Sequence, residues 1–300
     1  MTRETLTSLA GRDALAGRKA IVTGASGAFG SATLRVLRFL GADAVGLDRV
    51  PGDGVLACDV RDDDQVAAAV GQAIRQLGGR LDILIHYAGV GPAVDVGRAP
   101  DAEVREAIDV NLLGPWRVTA AAMPALLAAS ATGAASAGGP RPRPRARVVI
   151  TASLLAGVTM PFTAAYTVSK RALTAYADVL RLEYGTHLGV TTVYPGYVDT
   201  PIHDRSRAAG VSLDGLVPAE RIRDTVLTAV SAAAAARPPR DVAATGPGTG
   251  ARLLARHAPG LLDRAVAARV GRLARQDQFS GAALAAGLRD RHQHREEIPA

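Results

Sequence analysis

Three hundred residues with 48% apolar side chains can bury a sizeable core, but aromatics are only 4%, so that core has to be built from Ala, Val and Leu. A single cysteine, Cys58, excludes an internal disulfide and any cysteine-rich metal site, and no metal is expected. The net charge of +7 comes from Arg141, Arg143, Arg145 and Arg147 (+4) and residues 237–300 (+5), offset by −2 over residues 1–140, with no aromatic platform or reading-helix motif beside the arginines, which argues against a nucleic-acid partner.

Residues 1–17 mix acidic and basic side chains without an apolar run and read as a leader rather than a signal peptide. KAIVTG (19–24) predicts a strand, and 28–40 a helix with Leu34, Leu37 and Leu40 on one side. DAVGLD (43–48) and GVLAC (54–58) predict the second and third strands. Residues 61–77 open with acids suited to a helix N-terminus and then turn apolar at helical spacing. LDILIHYAG (81–89) reads as a fourth strand, 101–129 as one or two helices, RVVITAS (147–153) as a fifth strand, 163–185 as a long helix and VTTVYPG (190–196) as a sixth strand. Alternation of this kind implies an α/β fold, a doubly wound parallel sheet with helices on both faces. A single domain over 18–246 is expected, interrupted by a flexible Pro- and Arg-rich insertion at 130–147. RDVAATG (240–246) suits a seventh strand. Residues 247–300 form a basic extension with two helices broken at Pro259, whose stripe of Leu262, Val266, Val270 and Leu273 is expected to pack on the parent domain or on a sister subunit rather than on a membrane. No run of about 18 uncharged apolar residues is found, so no integral membrane segment is expected, and a cytoplasmic location is the default.

Ligands of such sheets bind at the carboxyl ends of the strands, where the informative residues lie. In TGASGAFG (23–30), Gly24, Gly27 and Gly30 let the chain turn tightly, approach a pyrophosphate and pack helix on strand, while the helix N-terminus favours phosphate charge. Asp48 ends the second strand, where a carboxylate accepts hydrogen bonds from an adenosine ribose and repels a 2′-phosphate, favouring NAD over NADP. Arg49 beside it partly offsets that repulsion. Asp59 stands either at the adenine edge or as the cap of the next helix.

Tyr166 and Lys170 stand at i and i+4 and share a helix face. A nearby ammonium stabilises a phenolate, so Lys170 is expected to lower the Tyr166 pKa and make proton exchange with a substrate oxygen feasible. Lys19 and Lys170 are the only lysines in the chain, which makes the pairing more telling than it would be elsewhere. Ser153 could donate to the same oxygen. Asn111 is a polar residue in an apolar helical stretch, either a site residue or a satisfied amide at a helix kink.

Together with YTVSK (166–170) and YPGYVDT (194–200), these residues resemble the short-chain dehydrogenase/reductase family in its compact single-domain branch. The resemblance implies a Rossmann-type fold, a nicotinamide cofactor and a catalytic tetrad of Asn111, Ser153, Tyr166 and Lys170. It also implies that Lys170 binds the nicotinamide ribose and that Asn111 holds a relay water. Cofactor contacts would come from Ser26, Phe29, Val60, Ala88 and Gly89, and from Pro195, Gly196, Val198 and Thr200 on the nicotinamide side. Two features differ. The Gly24, Gly27, Gly30 spacing and the run His86-Tyr87-Ala88-Gly89 are similar to the extended branch, which includes sugar-nucleotide epimerases. Expected is hydride transfer between NAD and an apolar secondary alcohol or ketone, with walls from 154–162 and 201–217. An NAD-retaining epimerase or dehydratase and a non-catalytic dinucleotide-binding scaffold are the alternatives. The resemblance further suggests a homodimer or homotetramer through 101–129 and 163–187.

Overall fold

The computed structural model describes residues 15–134, 146–210, 217–275 and 284. Parts of four expected segments (the leader, the insertion, the 201–217 wall and the C-terminal extension) lie outside the described residues. Seven strands, β1 (Lys19–Thr23), β2 (Asp43–Asp48), β3 (Val55–Ala57), β4 (Ile83–His86), β5 (Ala146–Thr151), β6 (Leu188–Tyr194) and β7 (Asp241–Ala243), form one sheet in the order β3-β2-β1-β4-β5-β6-β7. Every pairing is parallel. The chain runs outward from β1 to β3 and then returns to β4 on the other side of β1, which creates the switch point where such sheets bind ligands.

Strand alternation sends Ile21, Leu84, Val148 and Ile150 into one core, under α2 (Asp63–Gln76), α4 (Gly114–Ala134) and α5 (Ala164–Tyr184). Ala20, Val22, Ile83, Ile85 and Val149 enter the other, under α1 (Ala28–Phe39) and α7 (Ile222–Ala234). Both strand faces are therefore apolar, as a sheet covered on both sides requires. Leu34, Leu37 and Leu40 are buried as the spacing predicts.

Several expected boundaries shift. The 101–129 region is α3 (Ala102–Ile108), a π-helical turn (Asp109–Leu113) and α4, which continues to Ala134; β5 begins at Ala146. Both ends of the 130–147 segment are thus regular structure. The stretch Ala102–Ala131 is long and apolar enough to cross a membrane by length and composition alone, although Glu103, Arg105, Glu106, Asp109 and Arg117 interrupt it, so it is not an uncharged run. Its Val118, Ala122 and Leu126 nevertheless belong to the core beneath the sheet. Beyond α6 (Asp204–Ala208), α7 and β7 come α8 (Gly246–His257) and α9 (Pro259–Arg275). Ala255, Leu262 and Val266 from these last helices pack with Leu155, Val158 and Met160, so α8 and α9 lie against the segment that follows β5.

Candidate active site

The first strand–helix turn is shaped by close backbone approach. Gly24 has φ +65°, and a Cβ there would sit 2.6 Å from the Ala88 nitrogen; a Cβ on Gly30 would sit 2.1 Å from the Gly24 carbonyl oxygen. The turn is pinned to the end of β2 by the Asp48 carboxylate, which accepts from the amides of Ser26 (3.1 Å) and Val50 (3.0 Å), while the Ser26 hydroxyl donates to the Val50 carbonyl at 2.6 Å.

A cavity of about 160 Å³ follows this turn. Gly24, Gly27, Asp48, Arg49, Asp59, Val60, Ala88 and Gly89, which the sequence reading grouped together, all line it. Ser26 and Gly30 line neither this cavity nor the catalytic one, because their groups are spent on building the turn. Asp59 does not cap the following helix. Asp62 does, accepting from the Gln65 amide at 3.0 Å, and the Asp59 carboxylate is gripped by Arg61 instead (2.6 Å). That bond is the main reason the Asp59 pKa lies below the usual carboxylate value.

A second cavity, of about 70 Å³, lies beyond the ends of β4, β5 and β6 and shares Tyr87 and Gly89 with the first. Phe29, Ser153, Tyr166, Lys170, Pro195, Gly196, Val198 and Thr200 line it. The extended backbone of Ser153 places its hydroxyl to accept from the Leu155 amide (3.1 Å), on the cavity wall that it shares with Tyr166. Lys170 is 4% exposed; its ammonium donates to the Thr151 carbonyl (2.9 Å) and stands 5.7 Å from the centre of the Tyr166 ring.

The proton affinities depart from the sequence expectation. Burial pushes the Tyr166 phenol up to about 12, and the Ser153 hydroxyl only partly opposes this. Burial also pulls Lys170 down to about 8. Desolvation of the charged forms outweighs any help the ammonium gives the phenolate, so the expected lowering of Tyr166 is not found.

Asn111 takes the kink position but lines neither cavity. Its side-chain oxygen accepts from the Val90 amide (2.8 Å), and its nitrogen donates to the Val90 carbonyl and to Ser169 Oγ, both at 2.9 Å. Ile202 and His203, from the expected 201–217 wall, line this second cavity, as does Tyr197, which sequence reasoning did not single out. Sequence reasoning also missed the stack of Tyr197 on His203, with centroids 4.6 Å apart. The YPGYVDT run was the one hint of Tyr197. A larger cavity of about 330 Å³, between residues 93–101 and α3, contains none of the predicted site residues.

A parallel doubly wound sheet, a glycine turn at its switch point and an acidic residue ending β2 define a Rossmann-type dinucleotide-binding protein. Its Tyr–Lys helix pair facing Ser153 narrows the class to an oxidoreductase. The sequence profile described as short chain dehydrogenase matches residues 18–210. The chain belongs to the short-chain dehydrogenase family and is accordingly an oxidoreductase of CH–OH groups. Among curated relatives, oxidoreductase UcpA of Salmonella typhimurium is 32% identical over 207 residues, which cover 63% of this chain and 72% of the relative. An uncharacterized NAD-dependent oxidoreductase of Mycobacterium tuberculosis is 30% identical over 217 residues, covering 63% and 74%. Among solved structures, a short chain dehydrogenase from Burkholderia cenocepacia in complex with NADP has a TM-score of 0.67 at 24% identity, covering 84% of this chain and 98% of that one. Another from Mycobacterium paratuberculosis, bound to NAD, has a TM-score of 0.65 at 24% identity, covering 78% and 99%. At those identities the structures speak for the fold.

Proposed function

We propose that the protein transfers a hydride between NAD(H) and a small apolar secondary alcohol or ketone, with Tyr166 exchanging the proton. The observation that carries this is that Ser153 and Tyr166 share a cavity wall with the Lys170 ammonium buried behind it, 5.7 Å from the centre of the Tyr166 ring. The groove suits a dinucleotide. Its two cavities meet at Gly89, where a Cβ would stand 3.2 Å from Asn111 Oδ1 and 3.5 Å from Lys170 Nζ and so fill the space between them. When bound, the nicotinamide supplies or accepts the hydride.

Ser153 holds the substrate oxygen against Tyr166, and Lys170 keeps a positive charge beneath the developing oxyanion and binds the nicotinamide ribose. With its phenol protonated at neutral pH, the resting site presents a proton to a carbonyl oxygen. Ketone reduction therefore needs no prior deprotonation, whereas alcohol oxidation does. The side-chain bonds of Asn111 are spent, so a relay water would be held by the main chain of its π-turn. Asp48, lining the adenosine cavity, supports NAD over NADP, with Arg49 as a partial offset. Leu154, Leu155, Val198, Ile202 and Val217 support an apolar substrate. Exposed Leu182 and Val179 on α5, and Trp116 on α4 stacked on Tyr176, support assembly through these helices into a homodimer or homotetramer.

The test is to mix the protein with NADH and a panel of apolar ketones and follow loss of the reduced-nicotinamide absorbance, with Tyr166→Phe as control. Turnover that Tyr166→Phe leaves intact would remove Tyr166 as proton donor. The Gly24–Gly27–Gly30 spacing favours one other reading, a sugar-nucleotide epimerase; that enzyme would retain NAD through purification and release no net reduced cofactor.

A further inference from the structure

Glu220 is a buried carboxylate outside both cavity linings, 9% exposed. One oxygen accepts from the Gly196 amide at 2.9 Å, and the other accepts from the Thr245 hydroxyl at 2.7 Å. Three segments remote in sequence meet at this one group. Gly196 belongs to the loop that leaves β6 and lines the catalytic cavity through Pro195, Gly196 and Val198. The segment carrying Glu220 runs beside that loop in a parallel bridge: Tyr197 donates to the Pro218 carbonyl (2.9 Å) and Glu220 donates to the Tyr197 carbonyl (2.8 Å). Thr245 is the N-cap of α8, accepting from the Gly248 amide at 3.2 Å. Packing leaves little slack, since a Cβ on Gly196 would lie 2.3 Å from the Pro218 carbonyl oxygen and one on Gly248 2.8 Å from Glu220 Oε1. A desolvated carboxylate with two short donors is among the stronger neutral-to-charged hydrogen-bond arrangements and fixes its donors in direction.

We propose that Glu220 is a positioning residue: it sets the geometry of the nicotinamide-side loop and ties that loop to α8, so that cofactor binding tightens the C-terminal helices. This role presupposes the dinucleotide site proposed above. An amide in place of the carboxylate keeps the size and the Gly196 bond but meets the Thr245 hydroxyl as a donor, so Glu220→Gln exchanges two charge-assisted bonds for weaker neutral ones and turns the Thr245 hydroxyl around. Dissociation constants for NADH would be measured by nicotinamide fluorescence on wild type and Glu220→Gln, together with amide hydrogen exchange at Gly196 and along α8. The expected result is roughly a tenfold weaker NADH affinity, the factor that about 1.4 kcal/mol of lost charge assistance in these bonds makes. Exchange at Gly196 and in the first turn of α8 should quicken, and NADH should slow α8 exchange in wild type but not in the variant. A merely structural role would lower the melting temperature and leave that NADH-dependent protection in place. Unchanged NADH affinity with unchanged Gly196 exchange in Glu220→Gln overturns the proposal. If Glu220→Gln does not fold, Thr245→Val removes the bond to Glu220 together with the Gly248 cap bond, so the readout is the NADH-dependent change in α8 exchange and not its baseline: loss of that change supports the tie, and its retention overturns it. Failure of wild type to bind NADH or NADPH at all would instead sink the dinucleotide site itself.

Discussion

The two halves of the groove are built from different materials. The adenosine half is mostly backbone: a turn that only glycine fits at two places, and carboxylates, Asp48 and Asp59, that sit near solvent and are held by amides or by Arg61. The catalytic half is mostly side chains withdrawn from water, with Lys170 and His86 buried on regular elements and Tyr166 half-buried beside them. In the first half geometry decides what fits, and charge is screened and adjustable. In the second, desolvation decides how tightly each group holds its proton. Substitutions should therefore change affinity and cofactor choice on one side, and rate and pH response on the other.

The largest effect is expected on the catalytic side. Tyr166→Phe removes the proton donor but keeps the ring, so kcat should fall by about 10²–10⁴-fold with nucleotide affinity nearly unchanged, as steady-state kinetics and NADH titration would show. A parallel fall in affinity would mean that the two halves are not separable. Next comes the turn: Gly30→Ala drives a methyl against the Gly24 carbonyl, 2.1 Å away in the unrelaxed structure. Thermal unfolding should report a loss of about 1–3 kcal/mol, with nucleotide affinity lost in step. Smaller again is Asp48→Asn. It removes the charge that would repel a 2′-phosphate while leaving a carbonyl to accept one amide, so the ratio of NAD to NADP affinity should drop by roughly tenfold, about 1.4 kcal/mol. An unchanged ratio would place the discrimination elsewhere, with Arg49 the first residue to try.

What could be read from the sequence follows the same division. The glycine turn, Asp48 and the Tyr166–Lys170 pair announce themselves because each depends on short spacings along one turn, strand or helix. The parallel, doubly wound sheet was legible because alternating strand and helix patterns leave few topologies open. Strand ends were read too long where chemistry follows the strand directly: residues 87–89 continue the apolar run of β4 but leave the sheet to form the groove. The grip of Arg61 on Asp59 was missed because an aspartate after a strand reads equally well as a cap. Glu220 left no trace in the sequence, since its partners lie 24 and 25 residues away with no repeat to link them. Nor could any pattern show that burial would raise Tyr166, because spacing reveals who is adjacent but not how dry the place is.

His86 gives the finest test of that dryness. Its ring is 2% exposed; Nε2 lies 3.0 Å from Thr119 Oγ1, and Nδ1 has no hydrogen-bond partner among the described residues. Burial first, and then the positive charge of Lys170, pull its pKa down to about 3 from an ordinary 6.5. On acidification the unfolded chain thus takes up this proton well before the folded one does. The unfolded state binds more protons between pH 6.5 and 3, so stability is intact above about 6.5 and declines as pH falls through that window. Between pH 7 and 5.5 this single residue should remove about 1 kcal/mol, or about 2–4 °C of melting temperature in a domain of this size. His86→Gln can still bond Thr119 but takes up no proton, so its melting temperature should fall less steeply over that interval, while wild type and variant differ by a constant amount above pH 7. Identical slopes would show that water reaches His86, and the catalytic half would then be less sealed from solvent than its burial implies.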